Sequence, residues 1–134
     1  MKYLVMAGRL AFGGWFLVSG LNHWLGVFPQ PIGANDVSRQ FTLALMDSHL
    51  FDAIKAIEIV TGAAIMLNLY TPLMLVATLP LSVVIFYWDV FLDRESVELV
   101  FGPLSLAINA LLMLAYLDCY WPMLARRPRC WGED

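Results

Sequence analysis

The stretch from Ile59 to Trp88 holds no Asp, Glu, Lys or Arg and is punctuated only by Asn68-Leu69-Tyr70-Thr71-Pro72. An uncharged run of this length cannot form one water-soluble helix. It reads as two bilayer-spanning helices joined by a tight turn, because in hydrocarbon every backbone N–H and C=O must find its partner within the segment. Composition agrees: hydrophobic residues make up 60% of the 134 residues and charged residues only 14%, against about 45–50% and about 25% in soluble domains. The chain has room for a single domain, residues 1–134. A net charge of −3 and the lack of a basic, aromatic-interleaved patch exclude a nucleic-acid partner.

Four apolar segments emerge, at about residues 3–24, 50–69, 72–92 and 99–117. Each approaches the ~20 residues a span requires. The expected fold is therefore an all-α membrane protein, a bundle of four transmembrane helices. Arg9 interrupts the first segment and no A-x-A-like site follows it, so it reads as a retained span and not a cleaved leader. Between the first two spans, Pro29, Pro31 and Gly33 forbid regular helix. Val37 to Met46 then fits a short amphipathic helix, capped by Asn35-Asp36, in the interface or over the end of the bundle. Pro80 lies centrally in the third span, where a bend is expected, and Pro103 near the start of the fourth.

Lys2 and the group Arg126, Arg127 and Arg129 lie on one side. The other side carries Arg39 and Arg94 but is dominated by Asp36, Asp47, Asp52, Asp93, Glu95 and Glu98. Positive residues favour the cytoplasm, so both termini are expected there. Trp24, Tyr87 and Trp88 would anchor the outer interface, and Tyr70, Tyr116, Tyr120 and Trp121 the inner one. Small residues (Gly8, Ala11, Gly13, Gly14, Ser19 and Gly20 on the first span, Gly62, Ala63 and Ala64 on the second) predict close helix packing.

Charges inside a membrane call for partners. Arg9 lies ~10 Å into the first span and Glu58 near the middle of the antiparallel second span, which predicts an Arg9–Glu58 ion pair. Lys55, one turn from Glu58, could share that carboxylate or reach Asp52 or Asp89. The pair serves either as an internal staple or as one wall of a polar pocket. A second polar group, Asn22, His23, His49, Asp52, Trp88 and Asp89, gathers toward the outer face. It reads as interfacial dressing, as a small-ligand site whose imidazoles could hydrogen-bond a quinone carbonyl, or, least favoured of the three, as a metal site of two His and two Asp. Cys119 and Cys130 form neither a C-x-x-C motif nor a zinc pattern, so no metal is expected. No nucleophile elbow, phosphate loop or haem motif is present, which leaves no catalytic residue to name.

The opening Gly8-Arg9-Leu10 through Ser19-Gly20-Leu21-Asn22-His23 resembles the first helix of the DoxX-like family of small four-helix membrane proteins. Ile54 to Gly62 resembles that family's second helix, Leu69 to Leu73 with the Pro80-bearing segment its third, and Ala115 to Asp118 with Trp121-Pro122 its ending. The resemblance implies a multi-pass protein of a bacterial inner membrane, and Arg9 and Glu58 correspond to the family's intramembrane Arg and Glu. The chain departs at Asp89, where relatives carry His, and at His23, where they carry Lys, which puts any carried-over role there in doubt. The family implies a non-catalytic accessory subunit or assembly factor of a quinone-linked respiratory or redox complex. That reading brings a membrane-protein partner or a homo-oligomer, and quinone in place of any cofactor evident in the chain. The alternative is a self-contained binder or transporter of a small quinone-like molecule, using a cleft at Arg9, Lys55 and Glu58.

Overall fold

A computed structural model describes residues 1–127, and Arg129 and Cys130 lie outside the described residues. Six α-helices follow in order: α1 (Lys2–Leu25), α2 (Asp36–Asp47), α3 (Leu50–Met66), α4 (Thr71–Tyr87), α5 (Glu98–Ala115) and the short α6 (Leu117–Tyr120). A π-helical turn, Trp88–Asp93, extends α4, and a 3₁₀ turn, Trp121–Leu124, follows α6. Three helical stretches are long and apolar enough to cross a membrane: Lys2–Leu25, Thr71–Asp93 and Glu98–Ala115. The segment expected at 50–69 forms α3, which at 17 residues is shorter and carries Asp52, Lys55 and Glu58.

The ends of the helices have local causes. Gly26 takes the left-handed conformation (φ 60°) after α1 and its N–H bonds back to Asn22 O, the usual glycine stop. Asn35 caps α2 by accepting from the Val37 and Ser38 N–H groups, as its sequence position predicts. Tyr70 at φ 49° turns the chain into Thr71-Pro72, where a missing proline N–H costs nothing. α4 continues through Pro80, whose ring lies on the exposed side.

α1 packs against α3, and α4 against α5. At the first contact the backbones nearly touch: a Cβ on Gly62 would stand 2.6 Å from Leu17 N and 2.7 Å from Gly13 O. Gly20 meets Lys55 O and Ile59 in the same way. The expected small-residue seam therefore exists, centred on Gly13, Gly20 and Gly62. Between α4 and α5 the seam is polar, with Asn109 Nδ2 donating to Thr78 Oγ1 and Ser82 Oγ, each at 3.0 Å.

The apolar core, Phe12, Phe16, Ile65, Leu75 and Leu112, fills the half of the molecule nearest the α3–α4 turn. Around this core the distribution is inverted: Thr61, Thr78, Ser82 and Asn109 are buried, whereas Val18, Val60, Leu73 and Leu111 are exposed. That suits a protein whose outer solvent is hydrocarbon and whose polar groups must pair inside. α2 obeys the same rule, burying Ser38 and Thr42 while Val37 and Leu43 face out.

Candidate functional site

The half of the molecule that the core does not fill holds a cavity of about 340 Å³. Every long helix contributes: Trp15 and Ser19 from α1, Phe51, Lys55 and Glu58 from α3, Leu81 and Ile85 from α4, Phe101 and Ser105 from α5. Gln30 and Pro31 with Phe41, Thr42 and Leu45 of α2 form its roof. The volume lies in the range typical of small-molecule sites, and so does the lining, apolar with a few polar groups.

On one wall stands a buried ion pair. Lys55 Nζ donates to Glu58 Oε2 at 2.9 Å and to Ser19 Oγ at 2.9 Å, and both charged side chains are almost fully enclosed. The Lys55 ammonium also lies 5.1 Å from the Phe51 ring centroid. Of the partners weighed for Lys55, Glu58 is the one it takes.

The expected Arg9–Glu58 pair does not form. The α1–α3 contacts at Gly13 and Gly20 set Ser19 level with Glu58. Arg9, ten residues earlier on the helix, is displaced by ~15 Å along its axis. It donates instead through Nη1 to Tyr116 Oη at 3.4 Å, and Tyr116 Oη donates in turn to Asn68 Oδ1 at 3.4 Å. Arg9 thus belongs to a polar network at the α3–α4 turn, which Thr71 joins by donating to Asn68 at 3.0 Å. It takes no part in the cavity.

The opposite wall is acidic. The π-helical turn carries Trp88 and Asp89 into the cavity, with Glu98 of α5 beside them. The Asp89 carboxyl packs where Gly102 has no side chain, since a Cβ there would come within 2.7 Å of Asp89 Oδ2. Asp93, one turn on, is bound by Ser38 Oγ at 2.7 Å and by the Ala34 N–H, which ties the turn to the start of α2. Trp88 N–H reaches Ser38 O at 3.4 Å, so this residue points inward, against α2. Glu98 Oε2 and Ser105 Oγ are buried and have no hydrogen-bond partner among the described residues.

The second polar group predicted from sequence is divided. His23 Nε2 lies 2.6 Å from Asp52 Oδ1 and His49 Nδ1 3.1 Å from Asp52 Oδ2, a partly exposed trio at the end of α1 and α3. Asn22 is committed to the backbone of Phe28, accepting from its N–H at 2.9 Å and donating to its carbonyl at 3.0 Å. Trp88 and Asp89 stand apart, on the cavity. Sequence reasoning did not single out Trp15, Phe101 or Ser105, took Ser19 only as a small packing residue, and placed Glu98 in the outer loop. A signal existed: Glu98, Gly102, Ser105 and Asn109 recur at helical spacing as a polar stripe on an otherwise apolar helix.

An all-helical chain whose long helices turn apolar surfaces outward and enclose a polar-lined cavity is a small multi-pass membrane protein. The DoxX family model matches residues 4–90, more than half of the chain, and the chain belongs to that family. The match takes in α1 to α4 and stops within the π-helical turn, before Glu98 and Ser105. No curated protein and no solved structure matches.

Proposed function

We propose that this protein crosses a bacterial inner membrane four times, both termini cytoplasmic, and binds a small amphipathic molecule in the cavity between its helices. The observation that carries the reading is the cavity of about 340 Å³ with the buried Lys55–Glu58 pair on one wall and the unpartnered Glu98 and Ser105 atoms on the other. Burying two charges side by side is a poor way to stabilise a fold, since apolar residues of similar volume do as well or better. Placed on a cavity wall, the same charges orient a ligand. Although α3 is short, Lys55 and Glu58 are enclosed by its neighbours, Asp52 lies in its first turn, and its outer face (Ile57, Val60) is apolar and exposed, which suits a fourth span. Lys2, Arg126 and Arg127 at one end, against the acidic residues at the other, support the orientation.

A second reading makes the protein an accessory subunit or assembly factor of a quinone-linked complex, with quinone as the ligand. It is favoured by an apolar slot of about 210 Å³ between α1 and α5, lined by Ala11, Phe12 and Leu104, which shares Trp15, Phe101 and Ser105 with the main cavity. A head group in the cavity could leave an isoprenoid tail in that slot. Gentle detergent extraction of the tagged protein, with mass spectrometry of everything retained, tests both readings. A small molecule present in the native protein and lost in Glu58→Gln, from variant protein that still elutes as a folded species, supports the binder. A stoichiometric partner protein carrying quinone supports the accessory role, and retention of neither overturns both.

A further inference from the structure

The cavity's charges are unbalanced. Three carboxyl groups, Glu58, Asp89 and Glu98, line it against one cation, Lys55. Lys55 is already engaged by Glu58 and Ser19. Asp89 is only 6% exposed, and among the described residues no cation pairs with it or with Glu98. Glu98 Oε2 is buried without a donor, although the Glu98 carboxyl also meets that of Asp93, and Ser105, only 7% exposed, has an unpartnered hydroxyl on the same wall. Enclosed polar groups of this kind are costly until something satisfies them. The cavity is also rich in aromatic rings, from Trp15, Phe41, Phe51, Trp88 and Phe101, whose faces attract cations as well as apolar groups.

We propose that the ligand is a small amphipathic amine, bound as its ammonium form, with the ammonium between Asp89, Glu98 and Ser105 and the apolar body against Trp15, Phe51 and Phe101. The proposal rests on the small-molecule reading and names its ligand class. An ammonium brings donors and no acceptor, which is what an acceptor-rich wall lacks. A carbonyl-bearing ligand such as a quinone brings only acceptors to that wall. The ammonium also supplies a positive charge to a wall where two carboxyl groups, Asp89 and Glu98, have no cation among the described residues. Gly102 makes the arrangement possible, because any side chain there would occupy the place of the Asp89 carboxyl.

The test is calorimetric titration of the full chain in lipid nanodiscs with 4-phenylbutylamine and with its neutral counterpart 4-phenylbutan-1-ol, empty nanodiscs serving as the blank. The amine should bind saturably and the alcohol roughly tenfold or more weakly, the difference expected of a charge-assisted contact. Asp89→Asn and Glu98→Gln should each weaken the amine by a similar factor and leave the alcohol unchanged. Size-exclusion elution and tryptophan emission establish that each variant folds. If Asp89→Asn does not, Glu98→Gln and Ser105→Ala decide the matter. Equal binding of amine and alcohol, or an amine affinity indifferent to the substitutions, would overturn the ammonium assignment and leave the small-molecule reading standing. If neither compound binds and native extraction retains no small molecule, both fall together.

Discussion

Lys55 and Glu58 were recognisable in the sequence as charges inside an apolar segment, but the choice of partner was not. Partner choice depends on the axial register of α1 against α3, and register is set by Gly13, Gly20 and Gly62 at a backbone contact that composition does not encode. The expected contact at Arg9 lies ten residues, roughly three helical turns, from Ser19, which the register actually places there. With both members enclosed, removing one strands the other. Glu58→Gln and Lys55→Met are each expected to destabilise the protein by about 3–5 kcal/mol, and the double substitution by much less than their sum. Denaturant titration in detergent micelles measures the cycle, and additive losses would show that the two charges do not depend on each other. Arg9→Ala should leave ligand retention intact, because Arg9 belongs to the Tyr116–Asn68 network.

At the scale of elements, the helices were legible because two signals coincide: apolar length marks the long helices, and Asn35, Gly26 and Thr71-Pro72 mark ends. The π-helical turn was not, since nothing in Trp88-Asp89-Val90-Phe91 distinguishes a widened turn from the end of a helix; such turns nevertheless collect at functional sites. The α1–α3 contact makes a sharp prediction. Gly62→Ala forces a Cβ against the backbone of α1 and should cost about 1–3 kcal/mol. Gly14→Ala meets only Met66 Sδ, at 3.8 Å, and should be neutral or stabilise by up to ~1 kcal/mol. Paired thermal melts compare the two. Asn35 both caps α2 and donates to the Leu92 and Asp93 carbonyls. Asn35→Ala should cost about 1 kcal/mol or somewhat more and raise amide exchange in α2 and the π-helical turn together. Faster exchange in α2 alone would mean that the roof is not tied to the acidic wall.

For the whole molecule, the distribution of positive charge predicts that cysteines introduced at Lys2 and at Ser48, in a background without the native cysteines, label oppositely in intact cells. A membrane-impermeant maleimide should reach Ser48→Cys and not Lys2→Cys, and equal labelling would contradict a crossing by α1 between the two positions. The broad architecture was readable because a bilayer admits few solutions to backbone pairing. The cavity was not, because it is a volume left between five elements, and no single segment carries its signature.

Trp15 and Phe101 stack at 5.3 Å between α1 and α5 and are shared by the inner cavity and the outer slot. Both rings remain almost half exposed on what would be the lipid side. A molecule arriving by that route dissolves in the membrane before it meets the protein. Occupancy then follows the compound's concentration in the leaflet, and two ligands of equal intrinsic fit would be ranked by their partition coefficients.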